Sequence, residues 1–212
     1  MRAFLWIATH TAYRVRVEGE GNLPQEGGAL LVSNHVSFVD WLLVAAAADR
    51  PVRFLIGKDY YEKAWVKPFA SVPRVIPIPV EGHPHEIAQA LRDCGRAIQA
   101  GEVVCVFAEG GITRTGKLQP FRRGFESIMR EVEAPIVPMA LAGVWGSIFS
   151  FAGGKFLWKW PQEFPRVVTV NFGRSLPPKA TPDEVRASVE KLLSAPSSRA
   201  CVHHWEKDRK KD

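Results

Sequence analysis

The chain has 212 residues, 46% of them hydrophobic, which is enough to bury a full core and makes one α/β domain the default organisation. Lys and Arg number 28 against 22 Asp and Glu, a formal charge of 28 − 22 = +6, which favours anionic partners such as phospholipid headgroups, acidic carrier proteins, phosphorylated cofactors or nucleic acid without choosing among them. Cys94, Cys105 and Cys201 form no C-x-x-C pair and have no histidine at metal-ligand spacing, which excludes a structural zinc and points to a reducing, cytoplasmic compartment.

The opening "MRAFLWIATHTAYR" has too short an apolar run for a signal peptide and reads as a surface helix over residues 1–12. "YRVRVEG" alternates as a strand does, and "GNLPQEGG" turns the chain into "ALLVS", a continuous apolar run of the kind covered on both faces. "FVDWLLVAAAA" follows as a helix that Pro51 stops. Then come a strand at "VRFLI", an aromatic helix at "YYEKAWVKPFA", a short strand at "RVIPI", a helix from about Glu86 to Ala100 and a strand at "EVVCVFA".

Beyond a polar loop from Glu109 to Pro120, the pattern continues with a short helix at "GFESIMREV" and the strands "IVPMAL" and "RVVTVNFG". The helix "TPDEVRASVEKLL" has Thr181 as N-cap and Pro182 at its first position. Residues 203–212 form a charged tail that we expect to fray. The uncharged stretch from Pro135 to Gly154 contains two prolines and four glycines, so it reads as a buried strand entering a loop rather than a membrane span. The expected fold is α/β: a mixed, mostly parallel central sheet with helices on both faces, in one domain spanning residues 1–212.

In such sheets ligands bind beyond the carboxyl ends of the strands. Two polar clusters fall there, "SNHVSFVD" after "ALLVS" and "AEGGITRTGKLQPFRRG" after "EVVCVF". His35 and Asp40 have the parts of a base and its orienter: an imidazole that titrates near neutrality and a carboxylate that can set its tautomer. The other histidines, His10, His83, His85, His203 and His204, read as surface residues, Trp41, Leu42 and Leu43 as core, and Cys105 as a small buried hydrophobe. In the second cluster Glu109 and Gly110 close a strand, and Arg114, Lys117, Arg122 and Arg123 crowd a loop suited to a phosphate.

"NHVSFVD", with "FAEGGITRTGKLQPFRRGF" downstream and "APIVPMAL" after it, resembles the glycerolipid acyltransferases, the lysophosphatidic acid acyltransferases and their relatives. The wording "EGGITRTG" is most similar to the acyltransferase half of bacterial 2-acylglycerophosphoethanolamine acyltransferases. The resemblance runs from about Val15 to Leu141. It implies transfer of a fatty acyl group from an acyl carrier protein or coenzyme A thioester to a lysophospholipid hydroxyl, with His35 as general base and Asp40 supporting it. Asn34, Arg74, Glu109, Gly110, Thr113, Arg114 and Lys117 are the substrate-binding candidates that go with it. It implies no metal, no cofactor beyond the acyl donor and no nucleic acid partner. The expected location is peripheral, on an anionic surface at the inner face of the cell membrane.

The chain departs from the family pattern twice. Gly111 and Ile112 stand between Glu109-Gly110 and Thr113-Arg114, where the commoner form is Glu-Gly-Thr-Arg. The arginine that usually closes a strand near "RVIPIP" is Ile78 here, with Arg74 nearby as a substitute. Two rival readings use other features. "GITRTGK" fits G-x4-G-K, but Leu118 follows where a nucleotide-binding loop needs Ser or Thr, and Pro120 precedes any helix. "YYEKAWVKPF" and "KFLWKWP" interleave aromatics with lysines, as a non-catalytic, membrane-associated lipid- or carrier-binding module of the same fold would. Such a module would have little reason to keep His35, Asp40 and Glu109 together.

Overall fold

The computed structural model describes residues 13–61, 75–79, 82–154 and 165–195. Seven strands, β1 (Tyr13–Glu18), β2 (Ala29–Ser33), β3 (Val52–Gly57), β4 (Ile76–Ile78), β5 (Val103–Phe107), β6 (Ile136–Ala142) and β7 (Arg166–Phe172), form one sheet in the order β1-β7-β6-β2-β5-β3-β4. Every neighbouring pair is parallel except β6 with β7. The sheet is therefore a parallel five-stranded unit extended at one edge by β7 and β1, which run the other way.

The continuous apolar runs are the strands with both faces covered. In β2 every residue is buried, and its pleat sends side chains alternately to two core layers. Leu31 joins Cys105, Met139 and the helix α1 (Asp40–Ala47) on one side, while Leu30 and Val32 join Val104 and Val106 on the other. That second layer is closed by α3 (Pro84–Gln99), α4 (Gly124–Met129) and α5 (Pro182–Ser194). Fully burying Leu30, Leu31 and Val32 contributes roughly 1.5–3 kcal/mol each. β1 and β7 alternate buried and more exposed residues instead, because each covers only one face.

Local chemistry sets the helix boundaries. α5 begins as expected, with Thr181 as N-cap: its N–H donates to Glu184 Oε2 at 2.7 Å, and Pro182 occupies the first turn. α3 starts at Pro84, before the expected Glu86, because Glu86 instead accepts the N–H of the N-cap His83 at 3.0 Å. α1 starts at Asp40, later than the apolar pattern suggested, for a reason that belongs to the site below. Of the aromatic segment expected as a helix, the turn α2 (Lys58–Tyr61) is described and residues 62–70 lie outside the described residues. The expected N-terminal helix, the charged tail, "KFLWKWP" and Arg74 lie outside them too. The first part of the stretch from Pro135 to Gly154 is β6, central and buried. Among the described residues no helix is long and apolar enough to cross a membrane.

Candidate active site

β2 delivers the chain to the carboxyl edge of the sheet at Ser33, and α1 begins at Asp40. Between them the backbone folds around the Asp40 carboxylate. Oδ2 accepts the N–H of Val36 at 2.6 Å and of Ser37 at 2.9 Å, and Oδ1 accepts the Ser37 hydroxyl at 2.7 Å. This wrap brings two residues five apart into contact and delays the helix: residues 36 and 37 direct their N–H groups at a side chain instead of at helical carbonyls. His35 Nδ1 lies 2.9 Å from the same Oδ2. Because that oxygen already accepts two backbone N–H groups, Nδ1 is the donor and Nε2 carries the lone pair. The ring stacks on Phe107, the last residue of β5, with centroids 4.2 Å apart and planes 15° from parallel. Asp40 is fully buried and the His35 side chain keeps 19% of its surface exposed.

The second motif holds the backbone of the first. β5 lies beside β2, in parallel register. Glu109 accepts the His35 N–H on Oε1 at 2.7 Å and the Gln119 N–H on Oε2 at 3.0 Å. Burial pushes its carboxyl above the usual carboxylate range, against the opposing pull of those two donors. The His35 carbonyl accepts the N–H of Thr113 at 2.9 Å. Both polar backbone groups of His35 are thus held by the loop after β5. The Thr113 hydroxyl donates to the Lys117 carbonyl at 3.0 Å and accepts from the Thr115 N–H at 3.3 Å, which closes that loop on itself. Gly110 sits at φ 71°, a conformation an L side chain rarely adopts.

Asn34 looks the other way. Its amide donates to the Leu141 carbonyl at 3.1 Å and accepts the Leu141 N–H at 2.8 Å, which extends the β2–β6 pairing by one side-chain rung. The polar groups of Asn34, Glu109 and Thr113 are therefore engaged by protein partners.

His35 opens onto a cavity of about 470 Å³ lined chiefly by apolar side chains, among them Phe38, Tyr60, Ile87 and Ile128, with Arg122 as its guanidinium. Arg122 is exposed, and its side chain has no ion-pair or hydrogen-bond partner among the described residues. Its own backbone N–H donates to the Ala108 carbonyl at 2.8 Å. Arg114 instead lies over the Phe151 ring, 3.8 Å from its centroid. Lys117 borders a separate cavity of about 220 Å³ shared with Asn34, Glu109, Thr113 and Trp145. The structure thus brings His35, Asp40, Asn34, Glu109, Gly110 and Thr113 together, and it places Arg114 and Lys117 away from the lining of the larger cavity. Sequence reasoning missed Ser37 and Phe107. Ser37 lies inside the motif itself, but Phe107, ending an apolar strand, carries no signal that separates a shelf for the base from ordinary core.

The α/β sheet thus presents a carboxylate-paired imidazole at the mouth of an apolar cavity. Residues 14–142 match the acyltransferase family model, more than half of the chain, and the chain belongs to that family. It is 27% identical over 144 residues to the chloroplastic 1-acyl-sn-glycerol-3-phosphate acyltransferase BAT2 of Brassica napus, covering 66% of this chain and 41% of that protein. It is 26% identical over 131 residues to the 1-acyl-sn-glycerol-3-phosphate acyltransferase of Bacillus subtilis, covering 61% of this chain and 63% of that one. The chain therefore spans from about two fifths to somewhat under two thirds of the length of these relatives. The crystal structure of the 1-acyl-sn-glycerophosphate acyltransferase PlsC from Thermotoga maritima superposes with a TM-score of 0.63, covering 91% of this chain and 74% of the other. At 20% identity, that likeness speaks for the fold.

Proposed function

We propose that this chain is an O-acyltransferase that moves a fatty acyl group from a coenzyme A or acyl carrier protein thioester to the free hydroxyl of a lysophospholipid of the 1-acylglycerol-3-phosphate type. The observation that carries the reading is the 2.9 Å contact between His35 Nδ1 and the buried Asp40, on a ring whose other nitrogen is available at the cavity. Nε2 takes the proton of the acceptor hydroxyl as its oxygen attacks the thioester carbonyl carbon. The C–O bond forms, the C–S bond breaks, and the proton passes from Nε2 to the leaving thiolate. General base help of this kind is worth roughly 10²–10⁴ in rate. Asp40 holds the tautomer and stabilises the imidazolium that forms in between.

The 470 Å³ cavity suits an acyl chain. Arg122, on the same lining, is the best-placed cation for the acceptor phosphate, ahead of Arg114 and Lys117. Glu109 and Thr113 hold the His35 backbone and Asn34 ties β2 to β6, so their polar groups serve as braces rather than as substrate ligands, while Gly110 lines the cavity beside His35. The formal charge of +6 supports peripheral attachment to an anionic surface at the inner face of the membrane. The test is thiol release and labelled phospholipid formation with a panel of acyl thioesters and lysophospholipids. Wild-type protein should turn over and His35→Ala should not, while His35→Ala still binds lysophosphatidate. A wild-type protein that binds lysolipid without turnover would leave the non-catalytic module as the function.

A further inference from the structure

The two oxygens of Asp40 are not treated alike. Oδ2 receives three donors, His35 Nδ1, Val36 N–H and Ser37 N–H, at 2.9, 2.6 and 2.9 Å. Oδ1 receives one, the Ser37 hydroxyl at 2.7 Å. Neither Asp40 nor Ser37 has any exposed surface, so solvent cannot stand in for that hydroxyl, and a buried acceptor left without its donor is expensive.

Ser37 is itself pinned. Its oxygen accepts the Val39 N–H at 3.3 Å, its backbone forms an isolated bridge with Ser150, and the next N–H, of Phe38, donates to the Phe149 carbonyl at 3.2 Å. Ser150 is fully buried, and its hydroxyl donates to the Ser147 carbonyl and accepts the Gly146 N–H. The loop after β6 thereby fixes the serine, and the serine fixes the plane of the carboxylate.

We propose that Ser37 is a positioning residue for the base: by occupying Oδ1 it fixes the plane of the Asp40 carboxylate and keeps Oδ2 facing His35. The inference rests on the acyl-transfer reading and adds a third side chain to the pair. The other titratable groups that feel the Asp40 charge are Tyr13 on β1, Tyr60 on α2, Cys105 on β5 and Glu109 just after it. Burial raises all four, so the two phenols and the thiol stay protonated through the neutral range.

The experiment compares wild type, Ser37→Ala and Ser37→Thr, the last keeping the hydroxyl. We expect Ser37→Ala to lower kcat about tenfold or more, with both substrate KM values nearly unchanged. The acid limb of its kcat profile should move down by about half a pH unit or more, because a carboxylate whose plane is no longer fixed holds the imidazolium less tightly. Ser37→Thr should restore most of kcat and the original limb. Histidine-labelled protein gives a readout independent of turnover: the proton on His35 Nδ1 should shift its resonance in Ser37→Ala and return in Ser37→Thr. A Ser37→Ala protein with wild-type kcat, or with lowered kcat but an unmoved acid limb and an unmoved resonance, would overturn the proposal, leaving Ser37 as packing. Wild-type protein without turnover would fail the acyl-transfer reading, and the resonance would still decide the positioning.

Discussion

Asp40→Asn separates two things a carboxylate does for a histidine, and the structure says which of them survives. An amide has one acceptor and one donor end, so in an open site it can turn its NH2 to the imidazole and impose the wrong tautomer. Here the position now held by Oδ2 faces three donors, and two of them, the Val36 and Ser37 N–H groups, are fixed in the backbone. The amide oxygen must take that place, which leaves the NH2 facing the Ser37 hydroxyl, a group able to accept as well as donate. His35 therefore keeps Nδ1 protonated and loses only the charge beside it. Two unit charges about 4 Å apart interact by about 4 kcal/mol at an effective dielectric constant near 20. An uncharged acceptor keeps roughly half the strength of a charge-assisted hydrogen bond, so ~2–3 kcal/mol of imidazolium stabilisation disappears. That corresponds to a fall in kcat of roughly 30- to 150-fold. Initial rates of thiol release at saturating lysophosphatidate, with a thermal melt to verify folding, measure it. A folded variant within about threefold of wild type would mean that the charge of Asp40 is not used, and a folded variant down about 10⁴-fold would mean that the tautomer was lost after all.

Arg122→Ala should raise the KM for lysophosphatidate and lower kcat/KM about 5- to 30-fold, the ~1–2 kcal/mol of one solvent-accessible charge-assisted contact, whereas Arg114→Ala should cost less than about threefold. The opposite ranking in initial-rate measurements would return the acceptor phosphate to Arg114. Ile128→Phe adds bulk to the wall of the apolar cavity and should lower the ratio of palmitoyl to decanoyl transfer. An unchanged ratio would place the acyl chain elsewhere. Glu109 has its carboxyl raised by burial, so the folded protein binds that proton more tightly than the unfolded chain does. Its contribution to stability is fully present below the ordinary value near 4.5 and is lost as pH rises through the raised folded value. The melting temperature of wild type relative to Glu109→Gln should accordingly fall as pH increases from about 4.5 towards neutrality, and a flat or rising difference would refute the assignment.

The strands were legible because their chemistry is local. "ALLVS" and "VVCVF" are apolar throughout since each is covered on both faces, and Thr181-Pro182 marks a helix start by residue type alone. Strand direction was less accessible: nothing in "RVVTVNFG" says that β7 runs against β6, because that depends on where the preceding segment returns the chain. In the site, the pairing of His35 with Asp40 was visible as a spacing at a strand-to-helix handover. The roles of Asn34 and Glu109 were not, since a polar residue that grips a neighbouring backbone and one that grips a substrate read the same along the chain.

The basic loop shows how that ambiguity resolves in space. Thr113 is buried, with its N–H on the His35 carbonyl and its hydroxyl spent inside the loop, so the backbone leaves it with Arg114 facing outward onto Phe151. Arg122 reaches the cavity by a shorter structural route than its distance in sequence implies. Its N–H donates to the Ala108 carbonyl, and the Ala108 N–H donates to the Ser33 carbonyl at 3.2 Å, two hydrogen bonds from the end of β2, two residues before His35. The Gln119 N–H on Glu109 closes the loop just before it. An insertion such as Gly111-Ile112 between these ties can swing Arg114 away without moving Arg122 relative to the base. The Arg122 backbone is thereby anchored to the sheet near His35, and its exposed guanidinium lies on the lining of the cavity that His35 opens onto, within reach of a phosphate placed there.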